Sequence, residues 1–396
     1  MPIPFSPPDI TQAEIEAVLE VLKSGWLTTG QKVAQFEKEM AAYCGVGQAV
    51  AVSSATAGME LVLKLLDIRG DKGDEVITTP YTYAATANVI IHRGIRPTFA
   101  DVKKDSFMLD AQQLYEAITP RTRAIFSVDV GGLPADYDEI RAVLKSKGRE
   151  DVVLISDSAH SFGARYKGKP VGGQYPFHVF SFHAVKNLTT AEGGAITFDD
   201  NTFAGHEDLR KEFAYTALNG QSKDAFSKMQ AGQWQYDILT DGLKCNMTDI
   251  SAAIGLVQLR RYDAMLARRK EIFQVYRQAL RDKEWAILPE EGRKEEGTET
   301  SYHLFLLRIA GYGEEQRNGL IEFLAVRGIA TNVHYKPLPM FTYFRGLGYR
   351  IEEYPNAFQQ YVNEITLPVY STLSPEDAEY LIQELIAYVE GRGGKK

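Results

Sequence analysis

The sequence predicts an α/β fold: a mostly parallel seven-stranded sheet with helices on both faces, plus a small α+β C-terminal domain. Three observations point to it. Between residues 49 and 198, seven short, nearly continuous apolar runs alternate with helical stretches. Strands covered on both faces read this way, because the crossover helices of a parallel sheet pack on either side. Residues 201–245 then break the rhythm with a polar stretch carrying Gly220, Gly232 and Gly242, as expected of an excursion over the surface. Last, a long helical pattern from Thr248 to about Leu280 leads into a portion with few strands. The expected division is 1–250 for the large domain and 251–396 for the connecting helix and small domain, with the N-terminal arm and first helix free to pack on the latter.

In chain order, the Pro-rich residues 2–8 read as an extended arm. Asp9 or Thr11 caps the helix Glu14–Leu22, and a second helix spans Lys32–Tyr43. Strand runs follow at Ala49–Ser53, Glu75–Thr79, Pro97–Ala100, Ala124–Val130, Val152–Ser156, His178–Phe182 and Ala195–Phe198. The helical stretches between them are Thr56–Leu66, Tyr83–His92, Asp110–Ala117 and Tyr137–Lys147. In the last part, strands are expected at His303–Ile309, Thr331–His334 and Thr366–Pro368, and a helix at Pro375–Glu390.

Bulk properties narrow the classes. The 396 residues are 44% hydrophobic and 24% charged, ordinary for a globular chain with a large core. A formal net charge of −8 leaves no global basic footprint for nucleic acid. Arg268-Arg269-Lys270 reads as a solvated helix face. Two cysteines, Cys44 and Cys245, outside any Cys-x-x-Cys pair, argue for a reducing compartment. The N-terminus lacks the basic start and apolar core of a signal peptide, and no run approaches the roughly 18 apolar residues of a membrane span. A cytoplasmic protein is expected, with neither membrane nor nucleic acid as partner.

The chemistry concentrates at two strand ends. Lys186 follows the apolar run His178–Phe182 and precedes Gly193-Gly194, a poor place for a lysine serving only solubility. Burial there would depress its pKa and make it a usable nucleophile and base. Upstream, Val152–Ser156 ends on Asp157, at the carboxyl end of a predicted parallel strand, where open α/β sheets bind ligands. Asp after a strand is often only a helix N-cap, but Ser158-Ala159-His160-Ser161 is not helical in pattern. A carboxylate that keeps a pyridine nitrogen protonated, with a lysine that forms a Schiff base, is what a pyridoxal phosphate (PLP) enzyme needs. His160 is a candidate for the cofactor's phenolic oxygen and equally for a structural core histidine. Ser53-Ser54-Ala55-Thr56-Ala57-Gly58, between a strand and a helix, offers amides and hydroxyls to a phosphate at a helix N-terminus. Ser181 can add another hydroxyl. Tyr81 or Tyr83 can stack on the pyridine ring or simply pack between helix and sheet. The seven histidines form no His-x-x-x-His pair, so no metal is expected. Without a Gly-x-Ser-x-Gly elbow, a serine hydrolase is not expected either.

These residues resemble the DegT/DnrJ/EryC1/StrS family of sugar aminotransferases, over about residues 4–390. The likeness rests on Val52–Met59 (Val-Ser-Ser-Ala-Thr-Ala-Gly-Met), Ser181–Asn187 (Ser-Phe-His-Ala-Val-Lys-Asn), Ala191–Gly194, Asn246–Ile254 and Tyr302–Phe305. Within the family the motifs look most like the UDP-4-amino-4-deoxy-L-arabinose–oxoglutarate aminotransferase branch. The resemblance implies the PLP-dependent fold type I, like aspartate aminotransferase. It implies that Lys186 carries the cofactor, Asp157 pairs with the pyridine nitrogen and Tyr83 stacks on the ring. Thr56, Ala57 and Ser181 would hold the phosphate, with His160 near the ring oxygen. Asn246 would reach the phosphate of the partner subunit's cofactor, so a homodimer with shared sites is implied. His334 would line the nucleotide-sugar site.

The implied activity transfers an amino group from L-glutamate to a nucleotide-linked keto-sugar, with the keto group expected at C4. A 3-keto sugar or a cyclitol is an alternative, and so is a non-catalytic sensor that keeps the fold. A sensor would tolerate loss of Lys186 or Asp157, and both are present. Members that dehydrate sugars replace the lysine by histidine. Two departures stand near where substrate is expected: Asp129, where many relatives have histidine, and Phe213-Ala214-Tyr215 within the divergent segment 213–240.

Overall fold

The computed structural model describes residues 2–199, 203, 205–223 and 234–391. Helix α1 (Gln12–Ser24) starts at Thr11, whose side chain and Glu14 form a reciprocal capping box, a device worth about 1 kcal/mol. Asp9 instead pairs with Arg261 and accepts from the Ser371 hydroxyl at 2.6 Å. After α2 (Gln31–Cys44) come β1 (Gln48–Val52), α3 (Ala55–Leu65), β2 (Glu75–Thr78), α4 (Ala84–His92) and β3 (Thr98–Phe99). Then follow α5 (Ala111–Ala117), β4 (Thr122–Val128), α6 (Tyr137–Lys147) and β5 (Val153–Asp157). A small hairpin, β6 (Arg165–Tyr166) and β7 (Lys169–Pro170), precedes β8 (Phe177–Ser181), β9 (Gly194–Phe198) and α7 (Leu209–Thr216).

The seven-stranded sheet has the order β1-β9-β8-β5-β4-β2-β3. Only β9 runs against its neighbours, pairing antiparallel with both β1 and β8; the other pairs are parallel. Successive strand residues point into opposite cores, as the pleat requires. Ile155, Val179 and Ile196 join α3, α4 and α7 on one face. Leu154, Phe180 and Ala195 join α2, α5 and α6 on the other.

A 32-residue helix, α8 (Asp249–Leu280), follows as one continuous element. Its N-terminal half packs on α1 and α2. Its C-terminal half, through Ile272, Phe273 and Tyr276, enters a third core beneath β10 (Ala286–Ile287), β11 (Phe305–Ile309) and β12 (Glu364–Leu367). These three form an antiparallel sheet in the order β10-β11-β12. Around them lie α9 (Glu314–Val326) and, after α10 (Thr342–Gly346) and α11 (Pro355–Val362), whose Phe344, Ala357 and Tyr361 instead join the core of the large sheet, α12 (Pro375–Val389). Ile3 of the arm is buried in the same core, its amide 2.7 Å from the Gly328 carbonyl.

Three expectations need correction. Thr331–His334 is not a strand. It makes a lone bridge, Asn332 to Thr366, because the His334 amide is taken by the Glu364 carboxylate at 3.0 Å instead of a ladder carbonyl. The excursion 201–245 contains a helix, α7, whose buried Leu209 and Phe213 are sparse enough in a polar stretch to hide the period. Helices α9, α10 and α11 were also absent from the sequence reading. Part of the divergent segment, 224–233, lies outside the described residues. Both cysteines are buried free thiols, and no described helix is long and apolar enough to cross a membrane.

Candidate active site

The sheet register gathers the chemistry at one edge. Asp157 ends β5 opposite Val128 of β4 and Val179 of β8. Gly194 lies between Val52 of β1 and Ser181 of β8. The carboxyl ends of β1, β8, β5 and β4 therefore share a rim, and Ser53, Ser181 and Asp157 stand on it. Gly194 is required there: a Cβ would sit 2.5 Å from the Ala55 amide nitrogen. Its absence lets the N-terminus of α3 close onto β9.

Lys186 sits in the turn after β8, with its amide 2.9 Å from the His183 carbonyl. Thr189 and Thr190 both bond the Phe182 carbonyl, and this holds the turn to the strand end. Burial pushes the Lys186 ammonium down to about 8, while the Asp157 carboxylate works in the opposite direction. Asp157 is 5% exposed, and burial raises its pKa against the Thr86 hydroxyl, the Ala159 amide and Lys186. Thr86 donates to Oδ2 at 2.7 Å and Ala159 to Oδ1 at 3.2 Å. No helix follows, so Asp157 is not an N-cap.

Tyr83 precedes α4 and is 65% exposed. Its ring lies 6.3 Å from that of Tyr335. Tyr81, the other aromatic considered, is fully buried, and its hydroxyl donates to the His334 carbonyl at 2.9 Å. That decides for packing at Tyr81. Ser54 caps α3 and takes the Ala57 amide at 3.1 Å, so Ala57 is already satisfied within the chain. The amides of Ala55 and Thr56, in the first turn, have no intrahelical acceptor. Thr56 and Ser181 are half-buried, and Ser181 accepts from the His183 amide at 3.4 Å.

His160 is buried with both ring nitrogens engaged. Nδ1 is 3.2 Å from the Gly131 amide, and Nε2 is 2.9 Å from the Tyr335 hydroxyl. His303 packs on its ring at 4.5 Å and bonds Asn187 Oδ1 at 2.7 Å. His334 bonds the Thr366 hydroxyl through Nδ1 at 3.0 Å and stacks on Phe5. Burial and the charge on Lys186 push His334 down to about 3. The same influences, with the neighbouring His334, hold His160 well below its ordinary value. Lys186, Asp157, Tyr83, His160 and His334 thus form one cluster. Thr86, Asn187, His303 and Tyr335 belong to it and were not singled out from sequence.

Asn246 contacts the end of β1, Lys244 and the segment before α2. It bridges Val52 and is half-buried, with its carboxamide bonded to Thr29 at 2.6 Å and to Lys244. The two departures also move. Asp129 is fully buried beneath the rim, accepting from the hydroxyls of Tyr137, Ser156, Ser158 and Ser161 and the Ala135 amide. Phe213 is a core residue of α7 against Phe177 and Phe198. Both side chains are consumed by internal packing or hydrogen bonding.

The model of the DegT/DnrJ/EryC1/StrS aminotransferase family matches residues 8–386. The chain belongs to that family. SpsC, the spore coat polysaccharide biosynthesis protein of Bacillus subtilis, is 38% identical over 400 residues, covering 98% of this chain and 97% of its own. Spr1654 of Streptococcus pneumoniae, assigned as a sugar aminotransferase and solved in a PLP-form, superposes with a TM-score of 0.92 at 41% identity, covering 99% and 100% of the two chains. Its PMP-form matches as well. PseC of Helicobacter pylori, an aminotransferase of pseudoaminic acid biosynthesis, has a TM-score of 0.89 at 28% identity over 99% of this chain and all of its own.

The architecture is accordingly that of the fold type I PLP-dependent aminotransferases, and the chain is an enzyme of this class with a PLP-dependent site. The residues present fit that cofactor. A buried carboxylate can face a cationic ring nitrogen, an exposed aromatic offers a ring platform, and a lysine lowered to about 8 feels that carboxylate's charge.

Proposed function

We propose that this DegT-family aminotransferase moves the amino group of L-glutamate to a nucleotide-linked keto-sugar, with the keto group at C4, in amino-sugar biosynthesis. The electrostatic pairing of the Lys186 amine with buried Asp157, on the carboxyl rim of the sheet, carries this reading. DesI, solved with its TDP-sugar product, has a TM-score of 0.83 at 26% identity and supports a nucleotide-linked acceptor. Pseudoaminic acid biosynthesis in PseC and polysaccharide biosynthesis in SpsC support an amino-sugar product. These names do not favour the arabinose branch, so the proposal stays at nucleotide-linked keto-sugars.

Bound PLP would supply an electron sink for the electron pair left on the donor's Cα when its proton is removed. Lys186 would attach the cofactor, and its freed amine would take that proton and return it elsewhere, as general base and then acid. A pKa near 8 suits both duties. Asp157 would hold the proton on the ring nitrogen, and Thr86 and Ala159 fix that carboxylate. Tyr83 would cover one ring face. The open first-turn amides of α3, with Thr56 and Ser181, would hold the phosphate, where the helix dipole favours an anion; Ala57, whose amide Ser54 already takes, would only line that site. His334, neutral at physiological pH, would offer its free Nε2 to a substrate hydroxyl. Asn246 would complete the phosphate site of a partner subunit in a homodimer.

The test is visible spectroscopy of the purified protein, then titration with glutamate and a panel of nucleotide-linked 4-keto sugars. Ping-pong kinetics are expected. Lys186→Ala should abolish the cofactor's protein-bound absorbance and both half-reactions; turnover at the wild-type rate would refute the assignment.

A further inference from the structure

We propose that the Tyr335 hydroxyl is the hydrogen-bond donor facing the reacting centre, and that His160 is the positioning residue that aims it. The argument begins at Gly131. A backbone amide can only donate, and this one points at His160 Nδ1 from 3.2 Å. Nδ1 therefore carries a lone pair. Burial and the Lys186 charge keep the ring neutral, so its single proton resides on Nε2. Nε2 lies 2.9 Å from Tyr335 Oη, which must accept. The phenol's own proton is then left for another oxygen, and His160 is the only hydrogen-bond partner of Oη among the described residues.

The surroundings hold this arrangement in place. His303 packs against His160 at 4.5 Å and is itself pinned by Asn187, whose Nδ2 donates to the Ser301 carbonyl at 2.8 Å. Asn187 directly follows Lys186 in the chain. The Tyr335 ring lies 6.3 Å from that of Tyr83 and 5.0 Å from that of His334. Asp157 and Tyr83 both act on Tyr335 electrostatically. The donor thus stands at the cleft wall between the ring platform and the lysine–aspartate pair. Its acceptor is an oxygen of anionic or carbonyl character next to Lys186: the phenolic oxygen of PLP or the carbonyl oxygen of the sugar. This inference rests on the proposed function for the acceptor. It replaces the direct contact expected of His160, whose two nitrogens are both committed.

Two measurements test it. In the cofactor-free protein, ¹⁵N shifts of labelled histidine should show His160 protonated at Nε2 and bare at Nδ1; protonation at Nδ1 overturns the relay. This result is independent of whether the PLP reading holds, since failure of the wild type to take up PLP would sink that reading alone. In the loaded protein, Tyr335→Phe separates the two acceptors. Donation to the ring oxygen stabilises its anionic form, so losing the donor should move the midpoint of the visible pH titration upward by about one unit. Donation to the sugar should leave that titration in place and lower kcat of the acceptor half-reaction on the order of a hundredfold, with KM little changed. His160→Gln, which keeps a donor toward Tyr335, should retain function, and His160→Leu should reproduce Tyr335→Phe. If Tyr335→Phe stays within about twofold of wild type in both half-reactions, with an unmoved titration, the proposal is wrong.

Discussion

At Lys186, burial works against the ammonium by more than the Asp157 carboxylate restores, which leaves the amine at about 8. The sign has a direct consequence. Below that pH the group is protonated and unreactive; above it the neutral amine dominates, well before an ordinary surface lysine titrates near about 10.4. Reductive methylation of the cofactor-free protein, followed residue by residue by mass spectrometry, should show Lys186 half-modified near pH 8. Asp157→Asn should shift that midpoint lower still, because the opposing charge is gone. A midpoint close to that of the exposed lysines would contradict the burial argument. At this scale the sequence was informative where chemistry is rare in its setting. A lysine between two apolar strands and an acid ending a third stood out locally. Thr86, His303 and Tyr335 did not, since each looks ordinary until the fold places it against Asp157 or His160.

At the scale of elements, α2 shows what local signals leave out. Its N-cap is Gly30, which has no side chain to offer. The carboxylate of Asp249, at the start of α8, takes over: Oδ1 accepts from the Gly30 and Val33 amides at 2.8 and 3.0 Å, and Oδ2 from Lys32 at 3.2 Å. A Cβ on Gly30 would stand 2.7 Å from that carboxylate. Asp249→Ala removes the cap and strands three amides, and should cost about 2 kcal/mol in equilibrium denaturation. A loss below about 0.5 kcal/mol would show that water replaces the cap readily. The strands of the large sheet were legible because each is an apolar run between breakers, and their observed ends fall within a few residues of expectation. Helix α7 was missed because its buried side is narrow. The strand expected at Thr331–His334 failed because Glu364 intercepts its amide.

At the scale of the molecule, the proposed homodimer builds each site from two chains. Asn246 lies against the end of β1 and is held by Thr29, and the proposed homodimer would bring it to a partner's cofactor. Complementation tests this. Lys186→Ala and Asn246→Ala homodimers should each be impaired at limiting cofactor. Mixed and reannealed, they form heterodimers in which one of the two sites combines an intact lysine with an intact asparagine. Activity should return in the mixture; a mixture no more active than its components would mean that the sites are not shared.

The order of short apolar runs and helices determined the layered α/β architecture by itself, because hydrophobic periodicity is a local property that neighbouring residues carry. The motif residues around Lys186 and Asp157 likewise carried their chemistry in the chain. Only the tertiary structure decided that Asp129 is an internal acceptor, that Phe213 is core, that a distant carboxylate caps α2, and that Tyr335 stands in front of His160. Each of those depends on partners far away in sequence, and hydrogen bonding and burial acquire their values only once those partners are in contact.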